Sequence, residues 1–409
     1  MAALPEIFQG FVRQFNQALG IVTGKMLHGQ IQQKVDLFGR RCILGAPGNM
    51  GNQHDHIDDS IPNRTKSHHF DGCGIFHAED THFPERTAVR TTFMILILLM
   101  ASSVCADPLP SWSDGQAKEA IKTWLAAVTD PEGPDFIPEA ERVAVLDNDG
   151  TSWCERPDYA STRFQVSLAR SMAAQGKADP DSMPFKAWFA DDRDALREYG
   201  FSQAYIDMNA VFAGMPVTAY RDSARAWLDR TPHSRYGVAY TELYYAPMLE
   251  LKDLLEKYGF QVWIVTGAAQ DFVRSFIEQA TGIPPERVIG TWTTPEYREA
   301  EDGSVSMVRG AVQTYNGHEN KPAHIEQRIG RRPVFAAGNS NNDQSMCRYA
   351  VTGPRRGLAI WIHHDDAERE YEYDRSTKLI AELCEQNPRA FEVSIKRDWT
   401  RIFPGVSLE

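Results

Sequence analysis

Residues 142–153 read RVAVLDNDGTSW. An apolar run ends here in two aspartates, Asp147 and Asp149, with Gly150 and Thr151 directly after them. Alternate side chains of a strand share a face, and where the strand gives way to a glycine-bearing turn both carboxylates can converge on one site. One of the pair suits a nucleophile and metal ligand, the other an acid and base. Aspartate at a buried strand end is also a common turn former or helix N-cap. The pair therefore needs partners elsewhere in the chain before it means chemistry.

Three later segments supply them. QVWIVTGAAQDFVRSFI (261–277) is an apolar run ending in Thr266 and Gly267 and leading into a helical pattern. A hydroxyl and backbone N–H groups at such a strand-to-helix crossing form an anion cradle. HENKPAHIEQRIG (318–330) puts Lys321 beside Pro322 at an expected helix start, where its ammonium can neutralise phosphoryl oxygens. RRPVFAAGNSNNDQSM (331–346) is a strand that breaks into a loop carrying Asn339 and Asp343, whose oxygens suit a hard cation such as magnesium. Asn341 and Asn342 share that loop, where asparagine more often serves turn chemistry.

With these four segments in this order, the chain resembles the haloacid dehalogenase superfamily of hydrolases, and within it the phosphoserine-phosphatase-like branch. The likeness covers about the last three quarters of the chain. IWIHHDDAEREYEYDR (360–375) and SIKRDWTRIF (394–403) further resemble a secreted bacterial subgroup. The resemblance implies that Asp147 is the nucleophile, Asp149 the general acid/base, and Thr266, Gly267 and Lys321 the phosphate binders. Magnesium would be held by Asp147, Asp149, Asn339 and Asp343. The superfamily usually has aspartate where this chain has Asn339. An amide oxygen can still ligate the ion but carries no charge, so weaker metal binding is expected.

Fold class follows from the alternation of apolar strands with helices. Strands are expected at 142–147, 261–266, 287–293, 333–337 and 358–362, which implies α/β architecture with a doubly wound parallel, Rossmann-like sheet. The candidate groups fall at the strands' carboxyl ends, where such sheets bind ligands. SDGQAKEAIKTWLAAVTD (113–130) reads as an amphipathic helix packed on this core. The core is expected at 107–151 and 246–409. Helical patterns dominate 152–245, matching in size and place the helical cap domain implied by the resemblance.

A cap closing over the site would exclude water and select the substrate. Trp188, Phe189, Tyr199, Tyr205, Phe212, Tyr220 and Trp227 could form an aromatic cage, though helically spaced aromatics are more often core. Glu155 and Arg156, just beyond the nucleophile segment, are candidates for substrate contact; a solvated ion pair is the bland alternative. His363, His364, Asp365 and Asp366 suggest either a second metal site or an Asp-rich helix start.

The chain has 409 residues and a net charge of −12. Residues 1–106 carry nine basic and nine acidic side chains, so the whole net charge belongs to 107–409. An acidic protein lacks the footprint of a nucleic-acid binder. RTAVRTTFMILILLMASSVCADPLP (86–110) has two arginines, an apolar run from Phe93 to Ala101, and small residues Val104 and Ala106 that suit cleavage before Asp107. Residues 91–106 therefore read as a signal peptide, which implies a periplasmic or secreted protein with no stable membrane anchor. Residues 1–90 hold seven of the twelve histidines in turn-rich sequence and are expected to be a non-native or disordered extension, with translation starting at Met94 or slightly upstream. A metal-binding segment around His54, His56, His68, His69 and His77 is the competing reading. Of the six cysteines, Cys154, Cys347 and Cys384 lie beyond Asp107; free thiols are expected, with a Cys347 to Cys384 disulfide as the alternative.

The expected function is hydrolysis of a small phosphomonoester with Mg2+ through an aspartyl-phosphate. A phosphate-ligand binder that keeps the fold without the chemistry, and a dehalogenase, are the alternatives. Asp149 argues against the dehalogenase, which needs no general acid two residues after its nucleophile. A phosphonate hydrolase would want a cap lysine, and nothing singles out Lys177 or Lys186 for that task.

Overall fold

The computed structural model describes residues 107–312 and 314–406. The expected extension, signal peptide and histidine-rich segment lie outside the described residues.

In chain order, α1 (Gln116–Thr129) precedes β1 (Val143–Leu146). Then come α2 (Ala160–Ala174), α3 (Phe185–Ala190), α4 (Arg193–Tyr199), α5 (Phe201–Ala210) and α6 (Val217–Arg230). After α7 (Ala246–Lys257) the chain enters β2 (Gln261–Ala269), α8 (Gln270–Arg274), α9 (Ile277–Thr281) and β3 (Val288–Thr291). A hairpin of β4 (Thr293–Glu299) and β5 (Val305–Val312) leads to α10 (Asn320–Ile329), β6 (Phe335–Gly338) and α11 (Gln344–Val351). The chain closes with β7 (Leu358–Asp365), β8 (Glu372–Tyr373), α12 (Lys378–Gln386), β9 (Ala390–Ser394) and α13 (Ile395–Asp398).

The main sheet runs β3-β2-β1-β6-β7, all parallel, and β7 pairs in addition with β9 in parallel and with the short β8 in antiparallel sense. Every residue of β1 is buried, and its two faces feed two cores. Ala144 and Leu146 join the core that includes Trp124 of α1, which packs on Phe260 and Phe335 at 5.6 and 5.5 Å between ring centroids. Val143 and Val145 join Ile325, Met346, Cys347 and Ile380 on the opposite side. Helices therefore cover both faces, and the near-continuous apolar strands follow from that double burial.

The helical segment α2 to α6 is inserted between β1 and β2, as expected of a cap. Its 185–200 portion is two helices, broken where Asp191 takes φ 52° and Asp192 caps α4 by accepting from Ala195 N at 3.0 Å.

The strand expected over 287–293 ends at Thr291, and Thr293 begins a separate two-stranded sheet. This hairpin reaches the cap through Gly214 N to Arg309 O at 2.6 Å and Arg309 N to Met215 O at 2.8 Å. Arg309 is buried over the Tyr220 ring at 3.8 Å and pairs with Asp271 at 2.6 Å, which Arg221 of α6 also reaches at 2.9 Å. The cap is thus tied to the residues that follow β2. Among the described residues no helix is long and apolar enough to cross a membrane.

Candidate active site

β1 delivers Asp147 and continues its ladder one step, Asp147 N donating to Ala337 O at 3.0 Å. The chain then turns. Asn148 O accepts from the amides of Thr151, Ser152 and Trp153 at 3.3, 2.9 and 2.9 Å, and Gly150 adopts φ 77°. A side chain at 150 would place its Cβ 1.9 Å from Asn339 Nδ2 and 2.8 Å from Glu155 Cδ, so only glycine lets the turn close against both. The expected convergence follows: Asp147 and Asp149 both line one cavity of about 1020 Å³.

Lys321, the second residue of α10, is fully buried and uses all three of its N–H donors. They reach Asp147 Oδ1 at 2.6 Å, Asp343 Oδ1 at 2.5 Å and Val265 O at 2.8 Å. Asp343 Oδ2 accepts from the amides of Asn339 and Ser340 at 3.1 Å each, which shapes the loop after β6. Asp147 Oδ2 and Asn339 Oδ1 have lighter company, the Thr151 hydroxyl at 3.4 and 3.5 Å. Thr266 Oγ1 donates to Asp149 Oδ2 at 3.3 Å and accepts from Ala268 N at 3.0 Å, while Asp149 Oδ1 is buried and has no partner among the described residues. Thr266 and Gly267 lie within a strand that runs to Ala269 through a register shift, not at the strand's end as the sequence suggests. Gly267 lines the cavity, and the Tyr315 hydroxyl would lie 2.7 Å from a Cβ there.

Electrostatics follow from burial. Loss of water, reinforced by Asp343, holds Asp147 well above the usual carboxylate range despite Lys321 beside it. Burial and the neighbouring Glu155 push Asp149 up to about 7. Burial would lower Lys321, but Asp147 and Asp343 outweigh it and hold the ammonium above its ordinary value. Two carboxylates thus share one ammonium, with Asp149 and Glu155 also buried nearby. An additional hard cation fits this donor set, since it would meet the surplus negative charge and the under-used amide oxygen of Asn339.

Glu155 and Arg156 both line the cavity. Arg156 stands 4.0 Å from Glu155 and lays its guanidinium over the Tyr373 ring at 4.1 Å. Of the cap aromatics, Trp188, Phe189, Tyr205 and Trp227 line the cavity, whereas Phe212 and Tyr220 are core and Tyr199 is exposed. Asn341 and Asn342 line the cavity and tie the loop to distant segments rather than closing its own turn: Asn341 Oδ1 accepts from Leu379 N at 2.7 Å and Asn342 Oδ1 from His318 N at 3.2 Å. The three cysteines of the described residues are free thiols. Cys154 is buried and held in its protonated form by burial and by Glu370.

The four polar residues after Ile362 do not converge on one site: His363 and Asp365 bring ligand atoms within 4.8 Å of one another and of Glu392, whereas His364 and Asp366 lie apart from that group. β7 extends to Asp365, so His363 and His364 point to opposite faces. His363 Nδ1 meets Glu392 Oε1 at 3.0 Å, and Asp365 accepts from Ser394 Oγ and Lys396 N at 2.5 and 2.9 Å, holding the start of α13. Asp366 pairs with Arg369 at 2.5 Å. His364 turns inward to the nucleophile turn, a contact the sequence reading missed because it ended the strand at Ile362.

Fold and site together define an α/β protein with an aspartate pair, a buried lysine and an amide-acid loop at the carboxyl edge of its sheet. The chain belongs to the haloacid dehalogenase-like hydrolases, whose family model matches residues 144–348. No curated protein matches it. Among solved structures, a conserved functionally unknown protein from Anaerococcus prevotii is similar at 14% identity and a TM-score of 0.44, over 67% of this chain and 91% of that one. A phosphoserine phosphohydrolase-like protein from Francisella tularensis matches at 15% identity and a TM-score of 0.33, over 59% and 99%. A phosphoserine phosphatase in its apo form matches at 14% and 0.33, over 61% and 93%.

Proposed function

We propose that this chain is a magnesium-dependent phosphatase that hydrolyses a small phosphomonoester through an aspartyl-phosphate on Asp147. One observation carries the reading: Asp147 lines the cavity, and Lys321 holds its Oδ1 while Oδ2 is only lightly engaged, by Thr151. Asp147 Oδ2 attacks phosphorus in line while Asp149 donates a proton to the departing alcohol. Asp149 then takes a proton from the water that hydrolyses the acyl phosphate. Gly267 lines the cavity beside the phosphoryl oxygens; Thr266 is fully buried and would have to release Asp149 to donate to them. Lys321 orients the nucleophile and Asp343; to reach a phosphoryl oxygen as well it would have to release one of its three acceptors.

Asp147, Asn339 and the backbone carbonyl of Asp149 would hold magnesium, with Asp343 behind them. The bound ion would supply charge neutralisation at the phosphoryl group. Glu155, Arg156 and the cap face of the cavity select the alcohol portion. The 91–106 segment supports export to the periplasm or beyond, and an N-terminal sequence starting at Asp107 in the exported protein would test it.

Release of p-nitrophenol from its phosphate, with magnesium and with chelator, tests the chemistry in wild type and Asp147→Asn. Turnover that requires magnesium and vanishes in the variant supports the reading. Undiminished turnover in the variant refutes it, and ligand affinity without turnover by any small phosphomonoester would favour the phosphate binder.

A further inference from the structure

The turn that presents Asp147 and Asp149 is braced by a buried pair to which the reaction gives no role. His364 Nε2 lies 2.6 Å from Gly150 O, and His364 Nδ1 lies 2.9 Å from Glu370 Oε2. Both partners are acceptors, so both ring nitrogens must carry hydrogen and the ring is an imidazolium. Glu370 is fixed in turn. Its Oε2 accepts from Tyr371 N at 2.6 Å, and its Oε1 from Tyr245 OH at 3.0 Å and Cys154 Sγ at 3.3 Å. The Tyr373 ring stacks on the imidazole at 4.3 Å, and the Arg156 guanidinium lies 4.1 Å from the centre of the same tyrosine ring.

Among the described residues no backbone amide donates to Gly150 O, so His364 holds the carbonyl end of this peptide, whose other end, Thr151 N, donates to Asn148 O at 3.3 Å. A buried ion pair is a weak source of stability, because desolvation offsets most of the attraction. It is well suited to fixing a geometry. Gly150 directly follows Asp149, sits in a left-handed conformation and closes against Asn339 and Glu155. Rotation of its peptide would re-aim all of them.

Resting on the phosphatase reading, we infer that His364, oriented by Glu370, is a positioning residue for the catalytic turn: its bond to Gly150 O sets the aim of Asp147 and Asp149.

Two substitutions separate positioning from bulk support. In His364→Gln the side-chain amide N–H falls near the Nε2 position and can still donate to Gly150 O. In His364→Asn it falls near Nδ1 and can reach only Glu370. Both lose the charge, so a merely structural role would affect the two alike. With p-nitrophenyl phosphate at saturating magnesium, kcat of the Asn variant should fall at least about tenfold while KM stays within about twofold. The Gln variant should keep kcat within about threefold of wild type. Glu370→Gln, which removes the charge that keeps both ring nitrogens protonated, should behave like the Asn variant and serves if that variant does not fold.

Hydrogen exchange across residues 147–153, read by mass spectrometry, follows the brace without activity. It should quicken in His364→Asn and Glu370→Gln and stay near wild type in His364→Gln. Equal kcat and equal exchange across the variants would overturn the inference. A wild type without turnover would instead sink the phosphatase reading, leaving the exchange pattern to judge the brace.

Discussion

Lys321→Met should be among the most destabilising single changes in the protein when metal is absent. Its ammonium binds Asp147 and Asp343 at 2.6 and 2.5 Å, so the two acceptor oxygens are held near one another with the charge between them. Methionine fills a similar volume but leaves two buried carboxylates facing each other with no counter-charge and leaves Val265 O without its donor. At a separation of at most about 5 Å and an effective dielectric of about 20, like charges repel by at least about 3 kcal/mol. Breaking one side of a buried pair by mutation typically costs about 3–5 kcal/mol, in agreement with that figure. Urea unfolding followed by tryptophan fluorescence, in chelator so that no cation substitutes for the ammonium, measures it. Lys321→Met should lose about 3 kcal/mol or more, and Asp343→Asn in the Lys321→Met background should recover at least about 1 kcal/mol by removing the like charge. A loss below about 1 kcal/mol, or no recovery in the double variant, would refute the claim that Lys321 chiefly neutralises this pair.

Other changes address the turn, the amide and the brace. Gly150→Ala forces a side chain into a left-handed residue and sets its Cβ 1.9 Å from Asn339 Nδ2, so thermal unfolding should show a loss above about 2 kcal/mol, and a loss under about 0.5 would refute the packing. Asn339→Asp adds a charge to the proposed metal set; the magnesium concentration for half-maximal turnover should fall about fivefold or more, while the metal-free protein becomes less stable, and an unchanged requirement would remove Asn339 from the ligands. The His364–Glu370 pair should shape stability against pH from both sides. Burial would lower His364, but Glu370 and Glu155 outweigh it and hold it above its ordinary value of 6.5, so its contribution is full below that value and fades as pH rises through the higher folded value. Burial would raise Glu370, but His364 outweighs it and lowers it from 4.5, so its contribution is full above that value and fades as pH falls further. Urea midpoints of wild type against His364→Gln should therefore converge at both extremes, and a gap that does not change with pH would count against a charged pair.

The parallel sheet was legible because each of its central strands is a short apolar run buried on both faces and closed by turn residues. The aspartates of β1 and the loop after β6 came from that frame, since the carboxyl ends of such strands share one edge, whereas Lys321 was legible from the helix start at Pro322. The hairpin of β4 and β5 was not legible in the same way. Nearly all of β4 is exposed, so no apolar alternation marks it. What holds the hairpin is tertiary: Arg309 reaching Asp271 and Tyr220 across more than thirty positions of sequence. A local signal did exist in Asp302-Gly303, the Gly at φ 81°, between two runs of mixed polarity.

The brace shows how one boundary governs a functional reading. With β7 ended at Ile362, the residues that follow look like a single polar cluster. Extended by three residues, the same stretch obeys a period of two: His363 and Asp365 share one face with Glu392 and the start of α13, while His364 lies on the other with Gly150 and Glu370. Neither histidine then contributes to a second metal centre with all four cluster residues, and their chemistry separates. His363 meets a carboxylate at a partly open edge, where water screens the pair. His364 meets two acceptors in a dry interior, where the missing water makes each of its hydrogen bonds expensive to lose. That difference in dielectric, rather than any difference in residue type, is why one histidine of an adjacent pair can hold a catalytic turn in place while its neighbour decorates the sheet's edge.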